Sequence, residues 1–198
     1  MIKIAIEGLD GSGKSSIAKY ISKKYNFEYK NNYLENMLNF DDSDFYRMKN
    51  KLDDNNNIAR TMIFMSSLIY SFKNCNMNTV FDRYILSEYY YDGSKETDSL
   101  FDYFMSLNMI PDLTIVLYAS DDVRFKRIIK RDSNDPDLNK INNGNMLYKK
   151  MFNFIKKYNI NSLIIDTDNL SIEQIITIID ENIENLLSKK RNIIKWLK

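Results

Sequence analysis

Residues 8–15 read Gly-Leu-Asp-Gly-Ser-Gly-Lys-Ser, the full GxxxxGK[ST] pattern, between a β-branched apolar run at 2–7 and an amphipathic stretch at 14–25. No other feature constrains the fold as much. A strand that turns through glycines straight into a helix can point its backbone N–H groups at an anion, and the helix adds its positive N-terminal end. Three of the chain's five glycines fall at positions 8, 11 and 13, although glycine is scarce elsewhere. A ligand-free tight turn is the plain alternative, and the strand before and helix after weigh against it. The pattern nominates Gly8, Gly11, Ser12, Gly13, Lys14, Ser15 and Ser16 as a phosphate cradle. Lys14 is expected to reach the β- and γ-phosphates of a nucleoside triphosphate, and the Ser15 hydroxyl to ligate Mg²⁺. Taken alone, the motif fits a kinase, a GTPase switch or an ATP-driven motor.

Short apolar runs alternate with longer amphipathic stretches through the rest of the chain, which predicts βα units around a parallel sheet. Strands are expected at 2–7, 27–30, 79–82, 113–118 and 162–166, and helices at 14–25, 44–51, 58–74, 99–107, 121–131, 146–158 and 172–188. The class is α/β, a five-stranded parallel sheet flanked by helices, and 198 residues suit one domain. The polar stretch 132–145, DSNDPDLNKINNGN, is either a surface loop or a short lid. The basic run KKRNIIKWLK at 189–198 reads as a solvated helix end.

Composition narrows the chemistry. With no histidine, a Ser-His-Asp triad, a Cys-His pair and histidine-bound zinc are excluded. Twenty-eight basic against 27 acidic residues leave a net charge of +1, which argues against nucleic acid or an anionic membrane as partner. A single cysteine, Cys75, forms no intramolecular disulfide, no apolar run is long enough to span a bilayer, and the opening MIKIAIEG lacks signal-peptide features. A cytoplasmic compartment is expected.

Asp82 and Arg83 fall at the carboxyl end of a predicted strand, the edge where α/β sheets bind ligands. A carboxylate there can hold Mg²⁺ and an arginine can grip a phosphate; a structural ion pair is the alternative. Arg127 and Arg131, spaced i, i+4, share one face of a predicted helix leading into the polar stretch. They are either a solvated basic end or cations that a closing lid brings to a transferring phosphoryl group.

IEGLDGSGKSS, then FDRYILSEYYYDG, then PDLTIVLYASDDVRFKRIIKR and IIDTDNLSIEQI, in that order, resemble the thymidylate kinase family over most of the chain. Only residues 26–78 fit poorly. The resemblance implies a P-loop kinase that moves the terminal phosphoryl group of ATP, with Mg²⁺, onto a deoxynucleoside monophosphate, most directly dTMP to dTDP. It implies that Asp82 binds metal and that Arg83, with Asp10 and Ser87, contacts the acceptor. Tyr91 would crowd the place of a ribose 2′-hydroxyl, and Lys14, Arg83, Arg127 and Arg131 would be catalytic. Glu88 stands where the family often contacts the base. The family also tends to form homodimers, for which residues 58–72 offer either a face or simply core.

The chain departs from the family pattern in three places. YKNNYLENMLNF replaces a Pro-x-Arg segment whose arginine holds the acceptor phosphate. MIFMSS at 62–67 lacks the arginine that reads thymine, leaving Arg47 and Arg60 as substitutes from shifted positions. The stretch 132–150 contains no arginine, only Lys140, Lys149 and Lys150. Glu35 lies near where related deoxynucleoside kinases place a general base, so a nucleoside kinase is the alternative. A GTP switch is more distant: NKIN at 139–142 lacks the aspartate that reads guanine.

Overall fold

The computed structural model describes residues 1–52 and 56–196; for residues 42, 45, 46, 49, 50, 140 and 191–196 the description is of the backbone alone. Five strands, β1 (Lys3–Glu7), β2 (Glu28–Lys30), β3 (Thr79–Asp82), β4 (Leu113–Tyr118) and β5 (Ser162–Asp166), form one sheet in the order β2-β3-β1-β4-β5. Every pairing is parallel, with Ile6 beside Asp82 on one side and Ile115 on the other. This is the predicted α/β arrangement, built from the five expected apolar runs.

Because side chains alternate across a strand, the sheet sorts residues onto two different cores. Ile4 and Ile6 of β1, Val80 of β3, and Ile115 and Leu117 of β4 meet Ile17 and Ile21 of α1 (Lys14–Tyr25) and Ile175, Ile179 and Ile183 of α9 (Ile172–Trp196). On the opposite face Ala5, Phe81 and Val116 meet an aromatic layer that includes Tyr84, Phe101, Phe104, Tyr148 and Phe154. That layer comes from α4 (Asn57–Lys73), α5 (Ile85–Asp92), α6 (Asp98–Ser106) and α8 (Gly144–Tyr158).

α2 (Tyr33–Leu38), α3 (Asp42–Lys51) and α7 (Asp121–Arg131) complete the helices. Two were not expected. α2 is six residues long, too short for a helical period to show, and lies between asparagines in the left-handed conformation, Asn32 and Asn39. α5 has no side-chain cap of its own, so no local start signal marks it. α9 runs past its expected end at 188 to Trp196; the side chains of the basic run from 191 onward lie outside the described residues.

α4 divides its faces: Thr61, Met65 and Leu68 point into the core, whereas Ile58, Met62 and Tyr70 are exposed. Residues 132–145 hold a short 3₁₀ turn, Pro136–Lys140, capped by Asp135, which accepts the Asp137 N–H at 2.9 Å.

The chain leaves β1 toward β2 on one side and leaves β4 toward β5 on the other, so connections diverge between the adjacent strands β1 and β4. That point opens a crevice at the carboxyl edge of the sheet. The glycine turn fills it. Gly8, at φ 139°, stands where a Cβ would come within 2.4 Å of the Leu117 carbonyl oxygen of β4. Only a residue without a side chain allows that approach.

Candidate active site

The turn between β1 and α1 closes with the Ser12 N–H donating to the Leu9 carbonyl at 3.1 Å, while Gly11 and Gly13 adopt positive φ. A Cβ added at Gly13 would meet nothing within 4 Å, so open space lies over the turn. A cavity of about 270 Å³ occupies it, walled by Gly11, Gly13, Lys14, Ser15 and Ser16 from the turn and by Arg83, Arg127 and Arg131 from elsewhere. Gly8 and Ser12 lie outside that wall; Ser12 is buried, and Gly8 serves the packing against β4. The Lys14 ammonium is also buried and donates to the Leu9 carbonyl at 2.7 Å, with Asp10 at 3.9 Å. Burial, reinforced by the nearby Arg83 guanidinium, lowers its pKa to about 7.

Side chains from distant segments clamp this turn. The Tyr148 hydroxyl accepts the Leu9 and Ala119 N–H groups, each at 3.2 Å, and donates to the Leu117 carbonyl at 2.9 Å. Arg124, buried on α7, donates through Nε to the Asp10 carbonyl at 2.7 Å and through Nη1 to Asp121 at 2.8 Å. Asp121 in turn accepts the Gly144 N–H at the start of α8, at 3.2 Å. The 132–145 stretch therefore hangs between two helices that are both tied to the glycine turn.

A second cavity, about 700 Å³, lies alongside, lined among others by Asp82, Arg83, Ser87, Tyr91 and Glu35. Ser15 and Arg83 line both cavities. Arg83 sits at φ 71°, an uncommon conformation for a side-chain-bearing residue, and is over-determined there. Its N–H donates to the Ile6 carbonyl at 2.9 Å, and its own carbonyl accepts the Tyr33 hydroxyl at 2.5 Å. The guanidinium pairs with the Asp10 carboxylate, donates to the Tyr90 hydroxyl at 2.9 Å and stands 5.9 Å from the Tyr91 ring centre. Asp82 accepts the Tyr29 hydroxyl at 2.8 Å. Tyr91 is more than half exposed, at the mouth of the cavity.

The residue that sets this geometry was not singled out by the sequence. Glu7, the last residue of β1, is fully buried, and Oε1 accepts the N–H groups of Tyr84, Leu86 and Ser87 at 2.9, 3.0 and 3.3 Å. The Ser87 hydroxyl donates to Oε2. The carboxyl thus caps α5 from 77 residues away. Burial raises its pKa, and the donors from Ser87 and the Arg83 charge counter that. Because the Ser87 hydroxyl is committed to Glu7, Ser87 enters the cavity chiefly as a wall.

The other sequence-nominated cations are distributed differently. Arg127 is tethered to the loop after β5, donating to the Thr167 hydroxyl at 2.9 Å and its carbonyl at 2.8 Å. Arg131 is mostly exposed and pairs with Asp135, with Asp137 at 3.8 Å. Lys150 turns away, donating to the Tyr90 carbonyl at 3.2 Å; Lys149 is exposed; the Lys140 side chain lies outside the described residues. Arg60 does reach the 700 Å³ cavity, whereas Arg47 is exposed and pairs with Asp44 at 3.4 Å.

Comparison with known proteins decides the family: the profile described as Thymidylate kinase matches residues 6–179. The chain belongs to the thymidylate kinase family. No curated protein sequence matches it at a significant level. Among solved structures it is similar to deoxyadenosine kinase from M. mycoides with bound dCTP, at 24% identity and TM-score 0.59 over 93% of this chain and 100% of that one. Thymidylate kinase from Ehrlichia chaffeensis gives 20% and 0.59, covering 93% and 98%. YorR protein from Bacillus subtilis in complex with phosphorylated GDP gives 17% and 0.61, covering 92% and 95%. Identities this low carry the fold. With the family they make the chain a phosphotransferase and a nucleotide kinase. No helix among the described residues is long and apolar enough to cross a membrane.

Glu7→Ala leaves three buried N–H groups without their acceptor, so it is expected to cost about 3 kcal/mol or more of stability. Urea denaturation measures this; a loss under about 1 kcal/mol would show that water or another group caps α5 instead.

Proposed function

We propose that this thymidylate kinase family member transfers the γ-phosphoryl group of Mg-ATP to the phosphate of a deoxynucleoside monophosphate, with ATP over the glycine turn and the acceptor in the 700 Å³ cavity. One observation carries the reading: Arg83 and Ser15 stand in the wall of both cavities, so a group moving from one to the other passes between them. The Lys14 charge draws in the β- and γ-phosphates, and the helix N-terminus behind it adds positive potential. Arg83 faces the equatorial oxygens of the transferring group and the acceptor phosphate. Asp10 holds Arg83 in place until phosphate arrives. An acceptor phosphate is already an anion, so position and charge suffice and no strong base is required.

Among the described residues no cluster of three or more acidic, cysteine or histidine side chains could hold a metal unaided. That fits Mg²⁺, which binds through one or two protein oxygens and substrate phosphates, with the Ser15 hydroxyl and the Asp82 carboxylate as the donors here. When bound, it offsets the charge of the β- and γ-oxygens. Arg131, released from Asp135 and Asp137 as residues 132–145 close as a lid, supplies a further cation to the γ-phosphoryl group. Arg127, through Thr167, positions the loop after β5 against the nucleotide base. The Tyr91 ring at the cavity mouth occupies the place of a 2′-hydroxyl and favours deoxyribose. Family membership names dTMP as the first acceptor to test, and the exposed face of α4, Ile58, Met62 and Tyr70, as a surface for pairing into a homodimer. A cytoplasmic setting suits such an enzyme.

Glu35 supports a second reading, a deoxynucleoside kinase, because it lines the same cavity with a carboxylate and the family's acceptor-phosphate arginine is missing. The deoxyadenosine kinase among the similar structures is consistent with it.

Incubation with Mg-ATP and each deoxynucleoside and its monophosphate separates the two. The monophosphate reading predicts one ADP per nucleoside diphosphate formed and little effect of Glu35→Gln; nucleoside phosphorylation abolished by Glu35→Gln would replace it. Lys14→Ala is expected to lower kcat by about 100- to 1000-fold with the fold retained by circular dichroism; a near-normal rate would exclude the mechanism.

A pH effect follows from the buried lysine. With its pKa near 7 in the free protein, Lys14 is largely neutral at pH 8, and a bound triphosphate favours the ammonium form. Binding at pH 8 should therefore take up a proton, and affinity should fall as pH rises above 7. Calorimetry in two buffers of different ionisation enthalpy reads the uptake; none at pH 8, with binding intact, would contradict this.

A further inference from the structure

Directly after Ser87 and again one helical turn later, α5 places two buried acids, Glu88 and Asp92, in the wall of the 700 Å³ cavity. Asp92 is held by Arg60 of α4: Nε donates to its two oxygens at 2.9 and 3.0 Å, Nη2 also donates to it, and Nη1 donates to the Leu52 carbonyl at 2.9 Å. Glu88, one turn earlier on the same face, is only 9% exposed, lines the cavity, and its Oε1 has no hydrogen-bond partner. An orphaned buried carboxyl oxygen is costly unless something supplies a donor. Burial, with the neighbouring Asp92 charge, pushes the Glu88 pKa well above the carboxylate range, and Arg60 only partly opposes this. Glu88 also shares a hydrogen bond with Asp92, and its buried Oε1 is left as an acceptor with no donor in the cavity wall.

From this arrangement we infer that Glu88, backed by Asp92 and Arg60, reads the acceptor's base by accepting a hydrogen bond from an exocyclic amino group, which selects adenine, cytosine or guanine over thymine. This rests on the acceptor lying in the 700 Å³ cavity, and it departs from the thymine that family membership names. Against Glu88 and Asp92 the oxo groups flanking the thymine N–H would face carboxyl oxygens, while Arg60 is engaged with Asp92 and the Leu52 carbonyl. Adenine, cytosine and guanine each carry an amino donor. A site built to receive a hydrogen bond rejects an analogue lacking the donor far better than an apolar pocket rejects a misfit.

Two measurements on the full chain test this together: kcat/KM for dAMP, dCMP, dGMP and dTMP with Mg-ATP, and equilibrium dissociation constants for the same four. The wild type should favour at least one of dAMP, dCMP and dGMP over dTMP by about tenfold or more in both, and the panel shows which amino base fits. Glu88→Gln, whose amide N–H can donate to Asp92 while its carbonyl still accepts, should keep the ranking. Glu88→Met, which removes the acceptor, should collapse the ratio toward unity with the fold checked by thermal melting. A wild-type preference for dTMP in binding would overturn the inference, as would an unchanged ranking in a folded Glu88→Met. Amino-base preference in binding without phosphoryl transfer would instead sink the kinase reading and leave this one standing.

Discussion

The arrangement depends on a buried carboxyl group at the end of the central strand. Glu7 precedes the first glycine of the phosphate cradle and reaches across to gather the N–H groups of Tyr84, Leu86 and Ser87, the segment that directly follows Arg83. Burying a charge is unfavourable unless its hydrogen-bonding capacity is met, and here four donors meet it. One side chain thereby fixes the glycine turn relative to the wall of the larger cavity. Arg83, held at a strained φ between them, inherits its placement from both.

The two faces of the sheet divide the labour. The isoleucine-rich face, against α1 and α9, has an apolar buried centre that holds α1 on the sheet, with tyrosines at its margin. The aromatic face carries hydroxyls as well as rings, and it is from there that polar contacts enter the site: Tyr148 on the glycine turn, Tyr33 on Arg83, Tyr90 on its guanidinium. Aromatic side chains suit this because they fill volume while bringing one polar atom to a defined point. The 132–145 stretch is held by ion pairs that are partly exposed, as with Arg131 and Asp135.

Much of this was legible along the chain. Short apolar runs rich in β-branched residues marked the strands, and the glycine pattern marked the turn, because both are local and a strand followed at once by glycines and a helix has few meanings. Asp82 and Arg83 were nominated from their place at a strand end and Tyr91 from the family resemblance, and all three line the larger cavity. What escaped reading was long-range. Nothing near Glu7 hints that its partners lie 77 residues on, and nothing near Tyr148 or Arg124 says that they clamp the turn. For the same reason α5, capped from afar, and α2, too short for a period, went unseen. Arg60, a candidate substitute for a base-reading arginine, is found paired with Asp92 in the wall of the larger cavity.

The central claim is that two phosphate-binding cavities face each other across Arg83 and Ser15. It is tested most directly by the affinity of a bisubstrate analogue, adenosine joined to a deoxynucleoside through a pentaphosphate. If the cavities are aligned for transfer, the linked compound should bind at least about 100-fold tighter than ATP or the monophosphate alone, because the second half binds at high effective concentration. An analogue that binds no tighter than ATP would show that the two cavities do not lie on one line, and the account would fail.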